Sequence, residues 1–209
     1  MKDDQCKICR TFGQKLFLKG ERCLSPKCAI TRRAYSPNAQ KKRKKGAPSG
    51  YKKSLEQKQA IKKWYGLSEK QFKKYVNETL KKIGKVENVS EELVKKLEKR
   101  LDNVIFRLGL AKSRPQARQM VSHGYFLING KRVNIPSYSV KKEDKVSLKE
   151  SKKKKTILKD ISAELKNREA PVWLLLDREK LEAKVVADPT MEEANPPAEI
   201  SLVFEFYSR

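Results

Sequence analysis

The sequence has few of the residues and motifs on which most enzymes depend. Its 209 residues include one histidine, His123, and contain no Walker A motif and no dinucleotide-binding glycine pattern. The acidic residues form no compelling acid/base pair. No apolar run approaches the roughly 20 residues of a membrane-spanning helix, and the N-terminus lacks the apolar core of a signal peptide. We therefore expect a cytoplasmic non-enzyme with no membrane partner and no small-molecule substrate.

Acidic residues are also scarce, since 25 Asp and Glu are set against 50 Lys and Arg, for a net charge of +25. The excess is uneven: residues 1–53 contain 16 basic and 3 acidic side chains, whereas residues 156–209 contain 7 and 11. So large a surplus repels itself unless a polyanion neutralises it, and nucleic acid is the first expectation. The acidic C-terminal segment is better suited to packing on protein.

A run of consecutive cations precedes a short Gly- and Pro-containing stretch and has the composition of a linker. It consists of Lys41, Lys42, Arg43, Lys44 and Lys45. One interpretation is a solvated hinge or a nuclear-localisation patch, because short basic clusters are common and unspecific. The other is an extended arm that becomes ordered when it neutralises RNA phosphates.

All four cysteines lie in the first 28 residues, as Cys6-x2-Cys9 followed by Cys23-x4-Cys28. Two close pairs separated by a loop can hold one structural Zn²⁺ ion in a tetrahedron of thiolates. An iron–sulfur cluster is the less favoured alternative, and free thiols or two disulfides are others, although the absence of a secretory signal argues against disulfides. Four cysteine ligands leave no position for water, which argues against a catalytic zinc.

Apolar residues recur at helical spacing from Ser54 to Leu108. The breaks between runs predict one helix ending at Gly66, a second capped by Ser68 and stopped by Gly84, and a third capped by Ser90 that continues to Leu108. The aromatic residues on these apolar faces are expected in the core, not as stacking platforms.

A further short helix is predicted between Ser113, an N-cap paired with a glutamine three residues later, and Gly124. At 100° per residue, Arg114, Arg118 and Ser122 share one face, and Ala117, Met120 and Val121 share the opposite one. The first face is expected to be offered to solvent or phosphate.

A tight hairpin is predicted next, because Asn129-Gly130 favours a type I′ turn. Its exposed tip carries Lys131 and Arg132, and Val146 to Leu148 could add a strand. A helix with two arginines beside a basic hairpin suits the backbone of folded RNA better than a groove-reading helix would.

These segments resemble the RNA-binding domain of the bacterial small-subunit ribosomal protein four family. The matching runs are Arg100-Leu101-Asp102-Asn103-Val104, Arg107-Leu108-Gly109, Ser113-Arg114, Ala117-Arg118-Gln119, Val121-Ser122-His123-Gly124 and 129–138. Related modules occur in pseudouridine synthases, a heat-shock RNA-binding protein and tyrosyl-tRNA synthetases. The flanks favour the ribosomal family, since its zinc-knuckle spacing, helical signature and terminal motif resemble Cys6 to Cys28, residues 65–72 and residues 205–209.

The sequence also departs from the family pattern. Glu56 stands where arginine is usual, Gln57 where glutamate is usual, and Ala183 where glycine is usual. Residues 36–40 form an imperfect version of the usual turn, and 88–90 replace a customary Thr-Gly pair. These differences weaken RNA assignments near the first helix.

The resemblance implies an α+β fold in which a mainly helical domain with an N-terminal zinc knuckle is interrupted by a small S4-type RNA-binding module of two helices and a hairpin. Its expected parts are a knuckle and basic arm at 1–45, the first part of the helical domain at 46–97, the RNA-binding domain at 98–156, and a segment at 157–209 that completes the helical domain.

The implied function is structural: a primary binder of the 5′ domain of 16S ribosomal RNA that nucleates assembly of the small (30S) ribosomal subunit. Ribosomal protein five, other 30S proteins and the nearby entry path of messenger RNA are the implied surroundings, with a contribution to translational accuracy. The expected RNA contacts are the basic run 41–45 and Arg100, Arg107, Lys112, Ser113, Arg114, Arg118, Gln119, Ser122, His123, Asn129, Lys131 and Arg132. The expected protein interface is Glu205, Tyr207 and Arg209, and the expected Zn²⁺ ligands are Cys6, Cys9, Cys23 and Cys28.

Two other function classes compete with this hypothesis. An RNA-modifying enzyme would need a separate catalytic core, which this length does not supply. A zinc-dependent DNA-binding regulator would need a groove-reading helix, whereas the cysteines are followed by a basic loop and the two-histidine finger pattern is absent.

Overall fold

The computed structural model describes residues 5–37, 47, 49–153, 165 and 170–208. The chain divides into two units, the first formed by Met1–Leu93 with Asn195–Arg209 and the second by Val94–Ala194. The mixed helix and sheet class is as predicted. The division into four parts at 45, 97 and 156 stays a prediction. Among the described residues, no helix combines the length and apolarity needed to cross a membrane.

The first unit begins with short helices around the cysteines, namely α1 (Gln5–Phe12), α2 (Glu21–Leu24) and α3 (Ala29–Arg32). Longer helices follow, α4 (Gly50–Trp64) and α5 (Glu69–Leu80). Ser68 caps α5 as predicted, since its side chain accepts a hydrogen bond from the backbone N–H of Gln71. Trp64 and Phe72 are buried, as predicted for aromatic residues on the apolar faces, and Ile61 is buried as well.

The second predicted helix is shorter than expected. It ends at Leu80, and the chain turns through Gly84, whose φ is +81°. Ile83, which falls within the predicted helix, is 61% exposed. A helix that continued past Leu80 would bury Ile83 on its apolar face. Because the helix ends at Leu80, Ile83 lies at the surface instead.

The predicted third helix is divided in two, α6 (Val89–Glu98) and α7 (Leu101–Arg107). Asn88 rather than Ser90 provides the N-terminal cap, because its Oδ1 accepts from the backbone N–H groups of Ser90 and Glu91. Between the helices, Arg100 is extended (φ −67°, ψ 136°) and forms an isolated β-bridge with Ser139. This tertiary pairing overrides a helical apolar pattern that continues across the break.

The second unit contains α7 followed by α8 (Arg114–Ser122), β1 (Phe126–Ile128), β2 (Lys131–Arg132), β3 (Lys145–Leu148), α9 (Glu150–Lys153), β4 (Leu174–Asp177), β5 (Glu182–Val185) and α10 (Met191–Ala194). The described strands form an antiparallel sheet in the order β2-β1-β3-β5-β4. Leu127 lies opposite Arg132 across the hairpin, and Val146 lies opposite Ala183 across β3 and β5. The hairpin and the strand at Val146 are therefore as predicted.

The C-terminal segment differs from the expectation that it packs as a whole on the first helices. Trp173, Leu174 and Val185 lie in the core of the second unit. Their strands extend the sheet because β5 pairs with the free edge of β3, which satisfies backbone groups that would otherwise be unpaired. Only Asn195–Arg209 belongs to the first unit, as helix α11 (Ile200–Ser208) with the turn before it.

Helix α11 is fixed to α4 by aromatic and polar contacts. The rings of Tyr51 and Phe206 are 5.6 Å apart between centroids, and Lys58 Nζ lies 4.4 Å from the centroid of the Phe206 ring. The backbone N–H of Glu199 donates to Oε1 of Gln57 at 3.1 Å. Gln57 departs from the family pattern, and in this structure it contributes to intramolecular packing.

Candidate nucleic-acid interface

Helix α8 begins as predicted and buries its predicted apolar face, but Arg114 departs from the expected exposed face. The Ser113 side chain accepts from the backbone N–H of Gln116, and Gln116 Oε1 accepts from the backbone N–H of Lys112 at 2.9 Å. Ala117 is buried as predicted. Arg114, however, is only 6% exposed, and its guanidinium lies 4.5 Å from the centroid of the Phe106 ring. The predicted exposure of Arg114 is therefore wrong, because its guanidinium packs on the Phe106 ring and donates to a buried polar side chain of α7.

A buried ion pair lies beneath this helix. Arg100 donates to both carboxylate oxygens of Asp102, at 3.0 Å from Nε and 2.6 Å from Nη2, and the two side chains are 1% and 6% exposed. Arg118 Nη1 lies 3.6 Å from the same carboxylate while its own side chain is 38% exposed. Arg100 therefore acts within the fold, whereas Arg118 has one end on the carboxylate and remains accessible to a ligand.

A second buried group joins α6, α7 and α8. Asn103 Nδ2 donates to Oε2 of Glu98 at 2.6 Å, and Asn103 Oδ1 accepts from Arg114 Nε at 2.8 Å. Arg107 makes two hydrogen bonds to Glu98, at 2.8 and 2.9 Å, and donates to the backbone carbonyl of Ala194 at 2.8 Å. Arg107 is thus committed to intramolecular bonds, contrary to the expectation that its guanidinium is offered to RNA.

The end of α8 and the hairpin meet at Gly124. Gly124 has φ +65°, and its N–H donates to Val121 O while Tyr125 N donates to Met120 O, which is the Schellman arrangement at a helix C-terminus. A Cβ added at Gly124 would lie 2.7 Å from Nη2 and 2.9 Å from Cζ of Arg132. The guanidinium of the hairpin therefore rests directly on the glycine at the end of α8.

This contact unites exposed polar residues from two elements into one surface, which we call the helix–hairpin face. Its members are Arg118, Gln119, Ser122, His123, Lys131 and Arg132; all are exposed except Arg118, which is partly exposed. The three cations give the face positive charge, and the described members include no carboxylate. Such a surface can bind phosphate oxygens through planar guanidinium groups and an ammonium group.

Asn129 has its side-chain amide engaged within the fold. It adopts φ +49° beside Gly130 at φ +79°, as a type I′ turn requires. Its Nδ2 donates to Asp144 Oδ1 at 2.8 Å and its Oδ1 accepts from the backbone N–H of Lys145 at 2.9 Å. Both polar atoms of the Asn129 amide are engaged within the fold, which does not favour the predicted RNA contact. Asn129 instead forms the turn of the hairpin.

Other predicted site residues have structural roles or lie outside the described chain. Ser113 is the buried cap of α8, and the backbone of Lys112 completes that cap. The basic run 41–45 and Arg209 lie outside the described residues.

Tyr207, a predicted protein-interface residue, donates from its hydroxyl to Glu69 Oε1 at 2.8 Å. Lys58 and Lys62 contact the same carboxylate at 2.7 and 2.6 Å. Burial raises the pKa of Glu69, but the hydrogen bonds from these two lysines and Tyr207 outweigh it and lower the pKa to about 2. Burial and the Glu69 bond raise the pKa of Tyr207. Tyr207 therefore anchors α11, and Glu205 remains partly exposed.

The four cysteines surround one small cavity and form no disulfide with one another in the described structure. Cys6, Cys9, Cys23 and Cys28 all line it, and its volume is about 20 Å³, enough for one water-sized occupant. In the described part of the chain, however, no group of three or more His, Cys, Asp or Glu side chains has the arrangement of a metal site. The predicted convergence of the four cysteines is present, and the Zn²⁺ ion they are expected to hold stays a prediction.

The electrostatics of the cavity differ among the thiols. Burial raises the pKa of Cys9, and the neighbouring Cys23, Cys6 and Cys28 raise it further. Burial also raises the pKa of Cys28, but backbone hydrogen bonds from Ile30 and Thr31 outweigh it, so the net direction is downward. Thiolates gathered this closely repel one another, and a cation among them would remove that repulsion.

Comparisons with known proteins match both parts of the chain. Residues 1–101 match the family described as Ribosomal protein S4/S9 N-terminal domain, and residues 99–146 match the S4 domain. The small ribosomal subunit protein uS4 of Halothermothrix orenii is 46% identical, with 98% of this chain and 96% of that protein covered. The uS4 proteins of Desulfitobacterium hafniense and Thermus thermophilus are 44% and 43% identical over the same shares.

The chain belongs to the uS4 family. That family consists of structural proteins of the small ribosomal subunit and not of enzymes, as the sequence predicted. The helix–hairpin face lies entirely within the matched S4 domain. The cysteine cavity lies within the N-terminal match.

Sequence reasoning missed the acidic partners on which the cations of this uS4 chain depend. Asp102 lies in one of the runs that resemble the family, and Glu98 falls within the predicted third helix. The sequence does place these two carboxylates in a segment rich in arginine, which favours ion pairs. Their burial, however, depends on the break in the helix at Arg100. A continuous helix would have placed them differently.

Proposed function

We propose that this chain binds the 5′ domain of 16S ribosomal RNA in cytoplasmic ribosomes, chiefly through the helix–hairpin face, and thereby nucleates assembly of the 30S subunit. The observation that carries the proposal is the joining of α8 and the basic hairpin at Gly124. Phosphate contacts fix position and need no base reading, so a rigid cationic face suits a folded RNA surface. Family membership supplies the ribosomal context.

Rigidity supports this assignment because the face rests on a buried network. Asp102 holds Arg118 from below, and Asp144 with Asn129 holds the hairpin turn. A guanidinium whose position is already restricted loses less conformational entropy when it binds phosphate. The proposal therefore distinguishes Arg118, Lys131 and Arg132, which contact RNA, from Arg100, Arg107 and Arg114, which support the fold.

The direct test is the salt dependence of binding to a folded 5′-domain fragment. Replacing Lys131 and Arg132 together with alanine should weaken binding and reduce the slope of log affinity against log salt by roughly two, one for each lost phosphate contact. Lys70 and Lys73, exposed on α5, provide a control with the same loss of charge. Equal slopes for the two double variants would contradict the proposal.

We further propose that ribosomal protein five and other 30S proteins are neighbours of the C-terminal helix, close to the entry path of messenger RNA, and that the chain contributes there to translational accuracy. Glu205 lies on α11 and is partly exposed, and Tyr207 supports the interface by holding α11 in place. Glu205→Ala should weaken binding of purified ribosomal protein five to the assembled subunit while leaving RNA affinity unchanged. Unchanged protein binding would remove Glu205 from the interface.

We also propose that Cys6, Cys9, Cys23 and Cys28 hold one structural Zn²⁺ ion, with an iron–sulfur cluster as the alternative. The shared cavity and the mutual repulsion of thiolates support a cation there. Native mass spectrometry should detect one zinc per chain, lost in Cys9→Ser, and hydrogen exchange should then increase around α1 to α3 but not around α8. An absorbance typical of iron–sulfur clusters would favour the alternative, and a metal-free wild type would refute both.

A further inference from the structure

A second cationic site lies in the first unit, in a cleft beside the cysteine cavity. Its volume is about 340 Å³, and its cations are Arg10, Lys19, Arg22, Lys27, Arg32 and Arg33. The described residues that line it include no aspartate or glutamate. None of these cations was among the predicted RNA contacts. We call this site the basic cleft.

The size and charge of the basic cleft specify its ligand. Sites for small organic groups span about 300 to 1,000 Å³, so this volume matches a group of nucleotide size and exceeds what a lone metal or water needs. Six like charges around one concavity repel one another until an anion enters. Phosphate is the anion that matches several guanidinium forks at once.

Arg10 connects the basic cleft to an exposed aromatic ring. Its Nε donates to the backbone carbonyl of Tyr35 at 3.1 Å, and its guanidinium lies 5.0 Å from the centroid of the Tyr35 ring. Tyr35 nevertheless remains 60% exposed. The side chain that lines the cleft is therefore held in place beside a ring that offers a surface for stacking.

We propose that the basic cleft binds a backbone phosphate of RNA and that Tyr35 stacks against an unpaired base of the same or the adjacent nucleotide. The inference deepens the proposed RNA-binding function, on which it rests, by adding a nucleotide site outside the helix–hairpin face. Aromatic stacking combined with phosphate contact is how proteins bind unstacked nucleotides. The site therefore recognises a bulge or loop in preference to a continuous helix.

The sequence after the basic cleft favours RNA as the source of the phosphate. Only seven residues separate Arg33 from Lys41, where the basic run 41–45 begins in the sequence. Positive charge thus continues along the sequence after the residues of the cleft, which suits a polymer of phosphates better than one small molecule. A free nucleotide or pyrophosphate could bind in the cleft but is too small to neutralise the charges of the basic run 41–45 as well.

The first experiment compares Arg22→Ala/Lys27→Ala in the full chain with wild type and with the Lys70→Ala/Lys73→Ala control. Arg22 and Lys27 are exposed, so neither substitution removes a buried side chain. Binding to the folded 5′-domain fragment should weaken at least about tenfold, and its salt slope should fall by one to two. A loss of RNA affinity no larger than that of the control variant would overturn the proposal that the cleft binds RNA. A wild-type chain that fails to bind the RNA would overturn the proposed function itself.

The second experiment tests the base. RNA carrying 4-thiouridine at unpaired positions should form a photo-crosslink to the peptide that contains Tyr35, and Tyr35→Leu should weaken binding at least about fivefold while Tyr35→Phe preserves it. No crosslink at this peptide, or equal affinities for the Leu and Phe variants, overturns the stacking assignment.

A third arm separates the sources of phosphate. Pyrophosphate and a nucleoside triphosphate, each titrated alone, should bind far more weakly than the RNA. Tight binding of either, abolished by Arg22→Ala/Lys27→Ala, would show that the cleft serves a small ligand and overturns the RNA assignment.

Discussion

The buried pair of Arg100 and Asp102 gives a sharp test of how the fold supports the helix–hairpin face. Asp102→Asn keeps the shape but removes the charge and turns one acceptor into a donor that faces a guanidinium donor. Both side chains are almost fully buried, at 1% and 6% exposure, so water does not replace the lost carboxylate. Breaking a buried pair by removing one partner costs about 3–5 kcal/mol, and we expect about 3 kcal/mol because one acceptor survives.

The assay is urea unfolding followed by the fluorescence of Trp173, which lies in the core of the second unit at 2% exposure. The sequence has two tryptophans, so a Trp64→Phe background leaves Trp173 as the single reporter. Glu143→Gln removes a carboxylate from an exposed pair with Lys184 and is the matched control; its midpoint should not change. A loss below about 1 kcal/mol for Asp102→Asn would refute the reasoning.

Further predictions concern the anchor of α11 and the junction at Gly124. Because the pKa of Glu69 is about 2 in the folded chain against 4.5 unfolded, its stabilisation is present above pH 4.5 and is lost as the pH falls towards 2. Glu69→Gln should remove that acid dependence and cost about 1 kcal/mol at neutral pH, a low figure because the side chain is 46% exposed; identical pH profiles by circular dichroism would contradict it. Gly124→Ala should cost about 1–2 kcal/mol because φ is positive, and should displace Arg132 and weaken RNA binding. Unchanged RNA affinity would show that the contact between Arg132 and Gly124 does not shape the face.

Local chemistry explains which parts of the fold could be predicted. Ser68, Ser113 and Asn129-Gly130 act through neighbours within three residues, so their caps and turn follow directly from sequence. The break at Arg100 could not be predicted in this way, because its cause is a bridge to Ser139, far along the chain. Tertiary pairing overrides a periodic pattern without leaving a local mark.

The same distinction between local and distant contacts decides which parts of the candidate site could be predicted. Lys131 and Arg132 follow from the turn, which exposes its tip. Helical period alone placed Arg114 outside, but an arginine is long enough to be buried against an aromatic ring when a polar partner is present, and Phe106 and Asn103 supply both. The basic cleft forms where short helices fold around the cysteines. The composition of this segment shows that it is basic, but it does not show which cations come together.

The most direct test of the central claim compares two ligands at matched ionic strength. The full chain should bind the folded 5′ domain of 16S ribosomal RNA at least about a hundredfold more tightly than duplex DNA of equal length, because the surfaces fit a folded shape as well as a charge. Equal affinity for the two would contradict the account and would favour a general nucleic-acid binder.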